Sequence, residues 1–318
     1  MTKIRKFGLI EEEYQSQDNF FGGIGGPEKE VLQANGQWHD YLPVKELQHS
    51  VYFDTLGCVT FSALNCLEIL AKRKFKYEPN YSDRYIAKLS GTNNFGNTFG
   101  NVRDAIKKYG LIKEEDYPYP TKMREPRFTK AEYYQEVPAD LILKGESWLD
   151  RYDIGRPQWV GTQPENLILA LEEAPLQVTI YAFTKPVNGI YPDNTKKRNH
   201  AVTLMGYKWG EWWEIFDHYE NVMKKLEWDY NFGAALKYSL TIKQNPPMKL
   251  DNNILVQEVE VSGQFGLHLD GKIYIDDLDK ILATWLQRNN GDVIGKTKSL
   301  KREDWDKFPQ YDLKNNKI

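Results

Sequence analysis

Cysteine is nearly absent: 318 residues contain two, Cys58 and Cys66, both inside the segment DTLGCVTFSALNCLE. On a helix from Asp54 to Leu70 the two thiols would lie about 12 Å apart along the axis, at about 1.5 Å per residue. A disulfide tolerates Cα atoms no more than about 7 Å apart. The close Cys/His spacing of a zinc site, such as CxxC, is missing as well. Free thiols are therefore expected. Long apolar runs are also lacking, and none approaches the ~18 residues needed to cross a bilayer. The opening MTKIRKFGLIEEEYQ has basic residues but no apolar core of a secretory signal. Charge of one sign is missing too: 42 Lys and Arg are scattered among 45 Asp and Glu, for a net charge of -3. This excludes the basic footprint of a nucleic-acid binder. The expectation is a cytoplasmic protein, or a particle-associated one if the source is viral, with no nucleic acid or membrane as partner and no cofactor.

What is present is a foldable chain. Hydrophobic residues make up 41% and aromatic residues 14%, with nine Trp and twenty Tyr, enough to build a bulky core or line a peptide groove. At about 150 residues per domain, the length allows one large or two smaller units. Residues 1–37, with the Gly-rich FFGGIGGPEKE, read as an extended arm. From Asp54, an acceptable N-cap, the residues Leu56, Val59, Phe61, Leu64, Leu67 and Leu70 recur at helical spacing. A second helix is predicted from Gly100 to Tyr109, closed by Gly110. Residues 121–160 read as polar and irregular. A short helix ending before Pro175 precedes a strand from Leu176 to Phe183. HAVTLMGYKW and EWWEIFDHY form a hairpin through GE, and AALKYSLTI adds another strand. Helices first and strands second indicate an α+β architecture of two lobes, about 50–120 and 160–250. Residues 251–318 are a C-terminal extension with one amphipathic helix, IDDLDKILATWLQRN, and a possible docking role. Its LDGKIYIDDLD is not a calcium loop, because Gly266 and His268 stand where acidic ligands are needed.

Chemistry concentrates on Cys58. A thiol in the first helical turn faces unsatisfied amides and a partial positive charge, which favour thiolate. Cys66, two turns on among apolar neighbours, reads as a small buried hydrophobe. A thiolate nucleophile needs an imidazole, and the imidazole needs an orienting group. His39, His49 and His268 lie in loop-like segments. His200 opens the strand NHAVTLMGY, and Asp217 follows the strand WWEIF that would pair with it. Adjacent antiparallel strands place both at one sheet edge, completing a Cys, His, Asp order.

GCVTFSALNCLE resembles the active-site helix of papain-like cysteine peptidases. NHAVTLMGY is similar to that family's histidine strand, and GIY at Gly189 to Tyr191 stands where the family often has the same tripeptide. WWEIFDHY resembles its Trp-x-x-x-Asn-Ser-Trp segment, and GLIKEEDYPYP and PLQVTIYA resemble two further segments. Cys58 and His200 are about 140 residues apart, inside the family's roughly 130–150. The resemblance spans residues 38 to about 245, inside an expected catalytic domain of 38–250. It implies a two-lobed papain-like fold with the Cys on a helical lobe and the His on an antiparallel β lobe. It also implies a thiol endopeptidase acting through a thioester. Cys58 would be the nucleophile, His200 the general base and acid, and Gln48, with the Cys58 amide, the oxyanion hole. Gly96 and Asn97 would bind substrate backbone.

The departures are specific. Asp217 replaces the family's Asn, so the orienting group would also stabilise imidazolium. Gln48 lies farther from Cys58 than the family pattern sets, implying an insertion within HSVYFDT. Val59 and Tyr219 replace two Trp. The usual inhibitory propeptide is expected to have no room, so that either activity is restrained some other way or residues 1–37 lie across the groove as a short plug. Two other readings stand beside the peptidase: a cell-wall amidase or transglutaminase-type enzyme with the same triad order, and a catalytically weak or inactive scaffold that binds.

Overall fold

The cysteine segment forms α1, Cys58–Phe75, in the computed structural model. The structure describes residues 8–12, 14, 19–22, 29–49, 52–119, 127–194 and 197–243, the strands named below for the C-terminal region, and Trp285. The chain divides into two units, Met1–Lys243 and Gln244–Ile318.

Every residue of α1 from Cys58 to Ala71 is buried, so the helix is enclosed on all sides and carries no polar stripe. It begins later than the periodicity predicts. Leu56 takes a φ of 57°, left-handed backbone that interrupts a helix, and Gly57 becomes the N-cap. Asp54, predicted as the cap, instead bridges His49 and accepts the Leu56 amide at 2.9 Å. Cys58 is thus the first helical residue.

Around α1 lie α2 (Asp83–Leu89) and α3 (Phe99–Tyr109). Ser82 and Thr98 cap them by accepting the amides of Tyr85 and Asn101, satisfying otherwise orphaned donors. Gly110 closes α3 at a φ of 65°, and a Cβ there would stand 1.9 Å from the Gly145 carbonyl oxygen.

The region predicted as irregular is not. It contains α4 (Lys130–Tyr133), started by a Thr129/Glu132 capping box, and α5 (Ala139–Arg151). Within α5 only Gly145 is fully buried, while Leu141, Ile142 and Trp148 pack against the core. Leu141, Ile142, Gly145 and Trp148 stand at helical spacing on the side that meets the core, among polar and exposed neighbours. A further short helix, α6, spans Pro164–Leu171.

Ten strands occur among the described residues of this unit: β1 (Asn19–Phe20), β2 (Tyr152–Asp153), β3 (Gln158–Val160), β4 (Leu176–Ile180), β5 (Ile190–Tyr191), β6 (His200–Lys208), β7 (Trp212–Asp217), β8 (Val222–Glu227), β9 (Ala235–Lys237) and β10 (Thr241–Ile242). Eight of them form one sheet in the order β1-β3-β9-β4-β6-β7-β8-β5. The hairpin of β6 and β7 forms as read, turning at Gly210 with a φ of 71°. β4 stops at Ile180, short of the predicted Phe183, and AALKYSLTI breaks into β9 and β10, the latter paired with β2. β8 (VMKKLE) escapes notice in the sequence because three of its six side chains are charged. α1 lies across β4 and β6, bringing the helical half onto the sheet half. The result is a two-lobed α+β fold, with the thiol on the helical side and the histidine on the antiparallel side.

The second unit contains a five-stranded sheet among its described residues: β11 (Ile254–Glu258), β12 (Phe265–Leu269), β13 (Lys272–Ile275), β14 (Thr297–Leu300) and β15 (Gln310–Asp312). Their order is β14-β11-β12-β13-β15. The extension is therefore not simply one helix. Of that predicted helix two residues are described: its first, Ile275, ends strand β13 instead, and Trp285 is helical. His268, read as a loop residue, belongs to β12. No helix among the described residues is long and apolar enough to cross a membrane.

Candidate active site

Local rules bring His200 and Asp217 together. His200 is the first residue of β6 and Asp217 the last of β7, so an antiparallel hairpin sets them at the same end of the sheet. His200 Nε2 and Asp217 Oδ1 are 3.0 Å apart, and both side chains are buried. Because Nε2 faces Asp217, Nδ1 is the ring nitrogen left to exchange a proton with a reactant.

Cys58 reaches the same corner from the helical side. Its sulfur accepts the backbone amides of Ala201, next to His200, and of Val59, and it feels the charge of Asp217. Both cysteines are free and buried. The expectation of a thiolate-favouring environment fails in this arrangement. Burial drives the Cys58 thiol well above its ordinary range, and Asp54 and Asp217 push it the same way, overriding the two amides. Removing water from a sulfur anion costs more than a helix terminus returns. Cys66 is likewise pushed up by burial and sits in the main apolar core.

Asp217 behaves oppositely. Burial alone would raise its pKa, but the hydrogen bond and charge of His200, with Lys224 and His218 beyond, hold it well below the usual carboxylate range. Lys224 Nζ lies 2.5 Å from Asp217 Oδ2 and 2.9 Å from Glu220 Oε2. Asp217 Oδ1 also accepts the Tyr219 amide at 3.1 Å.

His218 was overlooked in reading the sequence, although it stands within the quoted WWEIFDHY. It is fully buried, stacks on Phe61, and its ring centre is 5.5 Å from that of His200. Burial, reinforced by His200, pushes its pKa down to about 3, so it is neutral at physiological pH. Its Nε2 is 3.1 Å from Gln48 Oε1, which makes Nε2 the protonated nitrogen, since an amide oxygen only accepts. Gln48 is buried too. Its backbone amide donates to the His218 carbonyl at 3.3 Å, and its Nε2 donates to Asp54 Oδ1 at 3.2 Å. The other oxygen of Asp54 accepts the Tyr219 hydroxyl at 3.1 Å. The His49–Asp54 bridge is antiparallel and sets Gln48 beside Asp54 despite its long spacing from Cys58.

Gly96 and Asn97 stand before α3, and the N-terminal arm lies along them. The Asn97 amide donates to the Gly8 carbonyl at 2.8 Å, the Ile10 amide donates to the Asn97 carbonyl at 2.8 Å, and the Leu9 amide donates to the Asn199 carbonyl at 3.3 Å. The pairing of Leu9 with Asn97 is parallel. Gly8 has a φ of 88°, and a Cβ on it would fall 2.1 Å from the Leu56 carbonyl oxygen. Only glycine can pass there. Gly96 fits as closely from the other side, where a Cβ would fall 1.7 Å from the Gly8 oxygen. Further along, Glu11 accepts the Arg198 amide at 3.1 Å and Glu12 accepts the Gly100 amide at 2.6 Å. The residues expected to hold substrate backbone thus hold the chain's own arm. Among the described residues no group of His, Cys, Asp or Glu is placed to hold a metal ion.

This chain has the papain-like cysteine protease fold. Solved structures similar to it include xylellain, a cysteine protease from Xylella fastidiosa, at a TM-score of 0.53 and 16% identity, covering 75% of this chain and 97% of that one. A digestive procathepsin L 3 from the larval midgut of Tenebrio molitor matches at 0.47 and 19%, covering 67% and 71%. The bromelain protease from Ananas comosus, solved with the E64 inhibitor, matches at 0.44 and 15%, covering 64% and 97%. No protein-family model and no curated protein matches the sequence.

Proposed function

We propose that the protein is a thiol endopeptidase using Cys58, His200 and Asp217. The observation that carries this reading is the buried His200–Asp217 pair at 3.0 Å, set beside the residue whose amide meets the Cys58 sulfur. Because burial keeps the thiol protonated at rest, His200 Nδ1 takes the proton as sulfur attacks the peptide carbonyl carbon. A C–S bond forms, and the oxyanion is held by the Cys58 amide at the start of α1 and by the Gln48 side-chain amide. His200 then passes the proton to the leaving amine as the C–N bond breaks. Water hydrolyses the thioester with His200 as base, restoring the thiol. Gln48 suits its role because His218 holds its oxygen, so that the nitrogen, which gives one hydrogen to Asp54 Oδ1, is the donating end.

The test is casein hydrolysis together with iodoacetamide labelling from pH 4 to 9, on wild type, Cys58→Ala and His200→Ala. Hydrolysis should fall at least about a thousandfold in both variants. Labelling of Cys58 below pH 7 should require His200, with Cys66 untouched. A Cys58 that labels as an ordinary thiol, near 8.5, whether or not His200 is present, overturns the reading. The full burial of Cys58 favours a second reading, a scaffold that only binds, and that same result would support it. Cross-linking and muropeptide-cleavage assays beside casein separate the transglutaminase and amidase chemistries.

A further inference from the structure

Asp217 raises an electrostatic problem for a histidine that must both accept and release a proton. A bare buried carboxylate 3.0 Å from the ring holds it as imidazolium, which suits protonating a leaving amine but hinders activating water. The structure supplies a counterweight from another strand. Lys224 on β8 is 5% exposed and places Nζ 2.5 Å from Asp217 Oδ2, the oxygen that His200 does not use.

Its position is over-determined. The Lys224 ammonium also lies 3.6 Å from the centre of the Phe183 ring and 5.6 Å from that of Tyr191, so aromatic faces guide the stem while the head is shared between Asp217 and Glu220. Arriving from β8, the lysine is opposite Ile215 in the register, and its long stem reaches forward to the end of β7. A buried lysine is expensive unless paired, and this one is spent on the orienting carboxylate.

We propose that Lys224 is a positioning residue that neutralises Asp217, so that the carboxylate holds the His200 ring as a neutral hydrogen-bond acceptor would. This rests on the peptidase reading for its purpose, though not for its measurement. The groups facing the pair are Cys58 from α1, His218 and Tyr219 after β7, Glu220 in the turn, Asp54 before α1, and Phe183 and Tyr191 beside β5. Of these Asp54 and Glu220 are anionic. His218 is neutral, so Lys224 is the one described cation in contact with Asp217 besides protonated His200 itself. Removing it leaves the ring facing uncompensated negative charge.

The experiment is a ¹⁵N NMR pH titration of the histidine rings in the full-length protein, with His200 assigned by its loss in His200→Gln. Wild type is compared with Lys224→Met, Lys224→Arg and the double variant Asp217→Asn/Lys224→Met. Lys224→Met should raise the protonation midpoint of His200 by about one pH unit, a tenfold change in proton affinity. Lys224→Arg should restore it, and the double variant, with neither charge, should return close to wild type. The alkaline limb of iodoacetate labelling at Cys58 should move with it. An unchanged midpoint in Lys224→Met, or one equally raised in the double variant, overturns the proposal. If Lys224→Met does not fold, the double variant carries the test: neither member of the charge pair remains in it, and a midpoint more than about one unit from wild type refutes the neutral-acceptor role. Because the titration reads the ring alone, an inert Cys58 with a shifting His200 defeats the peptidase reading and leaves this one standing. A reactive Cys58 with an unmoved His200 does the reverse.

Discussion

Two groups of buried acid in the same unit are handled in opposite ways. Around α2, Glu46, Glu68, Asp83 and Glu114 gather with little cationic company, and burial raises the pKa of all four, with repulsion from neighbouring carboxylates reinforcing it at Glu68, Asp83 and Glu114. Neutral donors serve them: the Tyr81 amide reaches Glu68 and the Asn80 side chain reaches Glu46, each at 2.8 Å. Arg84 acts on Glu114 but leaves its pKa pushed up to about 8. At the end of β7, Asp217 is buried as Glu68 and Asp83 are, yet His200 and Lys224 carry it below the carboxylate range. For these three carboxyls burial is shared and the direction of the shift differs. What decides is whether a cation shares the burial, because desolvation penalises a charge that only an opposite charge nearby can repay.

The sharpest way to break this comparison is to neutralise one acid in each group. Asp217→Ala leaves the buried Lys224 ammonium with the exposed Glu220 in place of its buried partner and should cost about 3 kcal/mol in urea unfolding at pH 7. Glu68→Gln replaces an acid that burial pushes towards its protonated form with an amide that still accepts from Tyr81, and should stay within about 1 kcal/mol of wild type. Equal losses would show that the two groups do not differ in charge.

A second effect is a pH slope. A carboxyl with a raised folded-state pKa binds its proton more tightly when folded, so its stability contribution is complete below the unfolded value and is lost as pH rises through the folded one. For Glu114 that window runs from its ordinary 4.5 to about 8. Over it the protein should lose up to about 5 kcal/mol, at roughly 1.4 kcal/mol per tenfold change in proton affinity. Glu114→Gln should flatten the slope. Asp217 works the other way, stabilising above the ordinary carboxylate range and losing that contribution as pH falls below it. A wild-type stability that rises from pH 5 to 8 would contradict the assignment of raised acids.

The smallest effect concerns what covers the ionised corner. Deleting residues 1–14 removes the contacts of Gly8, Leu9 and Ile10 with Asn97 and Asn199, and should raise iodoacetamide labelling of Cys58 about tenfold, equivalent to about 1.4 kcal/mol. Labelling at the wild-type rate would mean that the arm does not shield the sulfur.

Much of this site is legible in residue order. Cys58 is marked by an apolar helix that begins near it, and His200 and Asp217 by two strands with a glycine turn between them. Such features follow from local rules, because a period of 3.6 or 2 and a turn residue leave their signature within a dozen positions. The same locality explains the misses. α5 does carry the helical spacing of Leu141, Ile142, Gly145 and Trp148, whereas β8 carries three charges in six positions and shows no clean pattern. His218 and Lys224 carry no motif.

The sequence by itself determined the order of the chemistry, thiol then imidazole then carboxylate, and the two-part architecture that carries it, since each piece is specified by neighbours in the chain. The tertiary structure alone decided the state of that chemistry. It sets His218 against Gln48 across 170 positions, lays Gly8 on Leu56, protonates the Cys58 thiol by burial and neutralises Asp217 with a lysine from the next strand. Charge state depends on which groups are shut away from water together, and that is a property of packing in three dimensions.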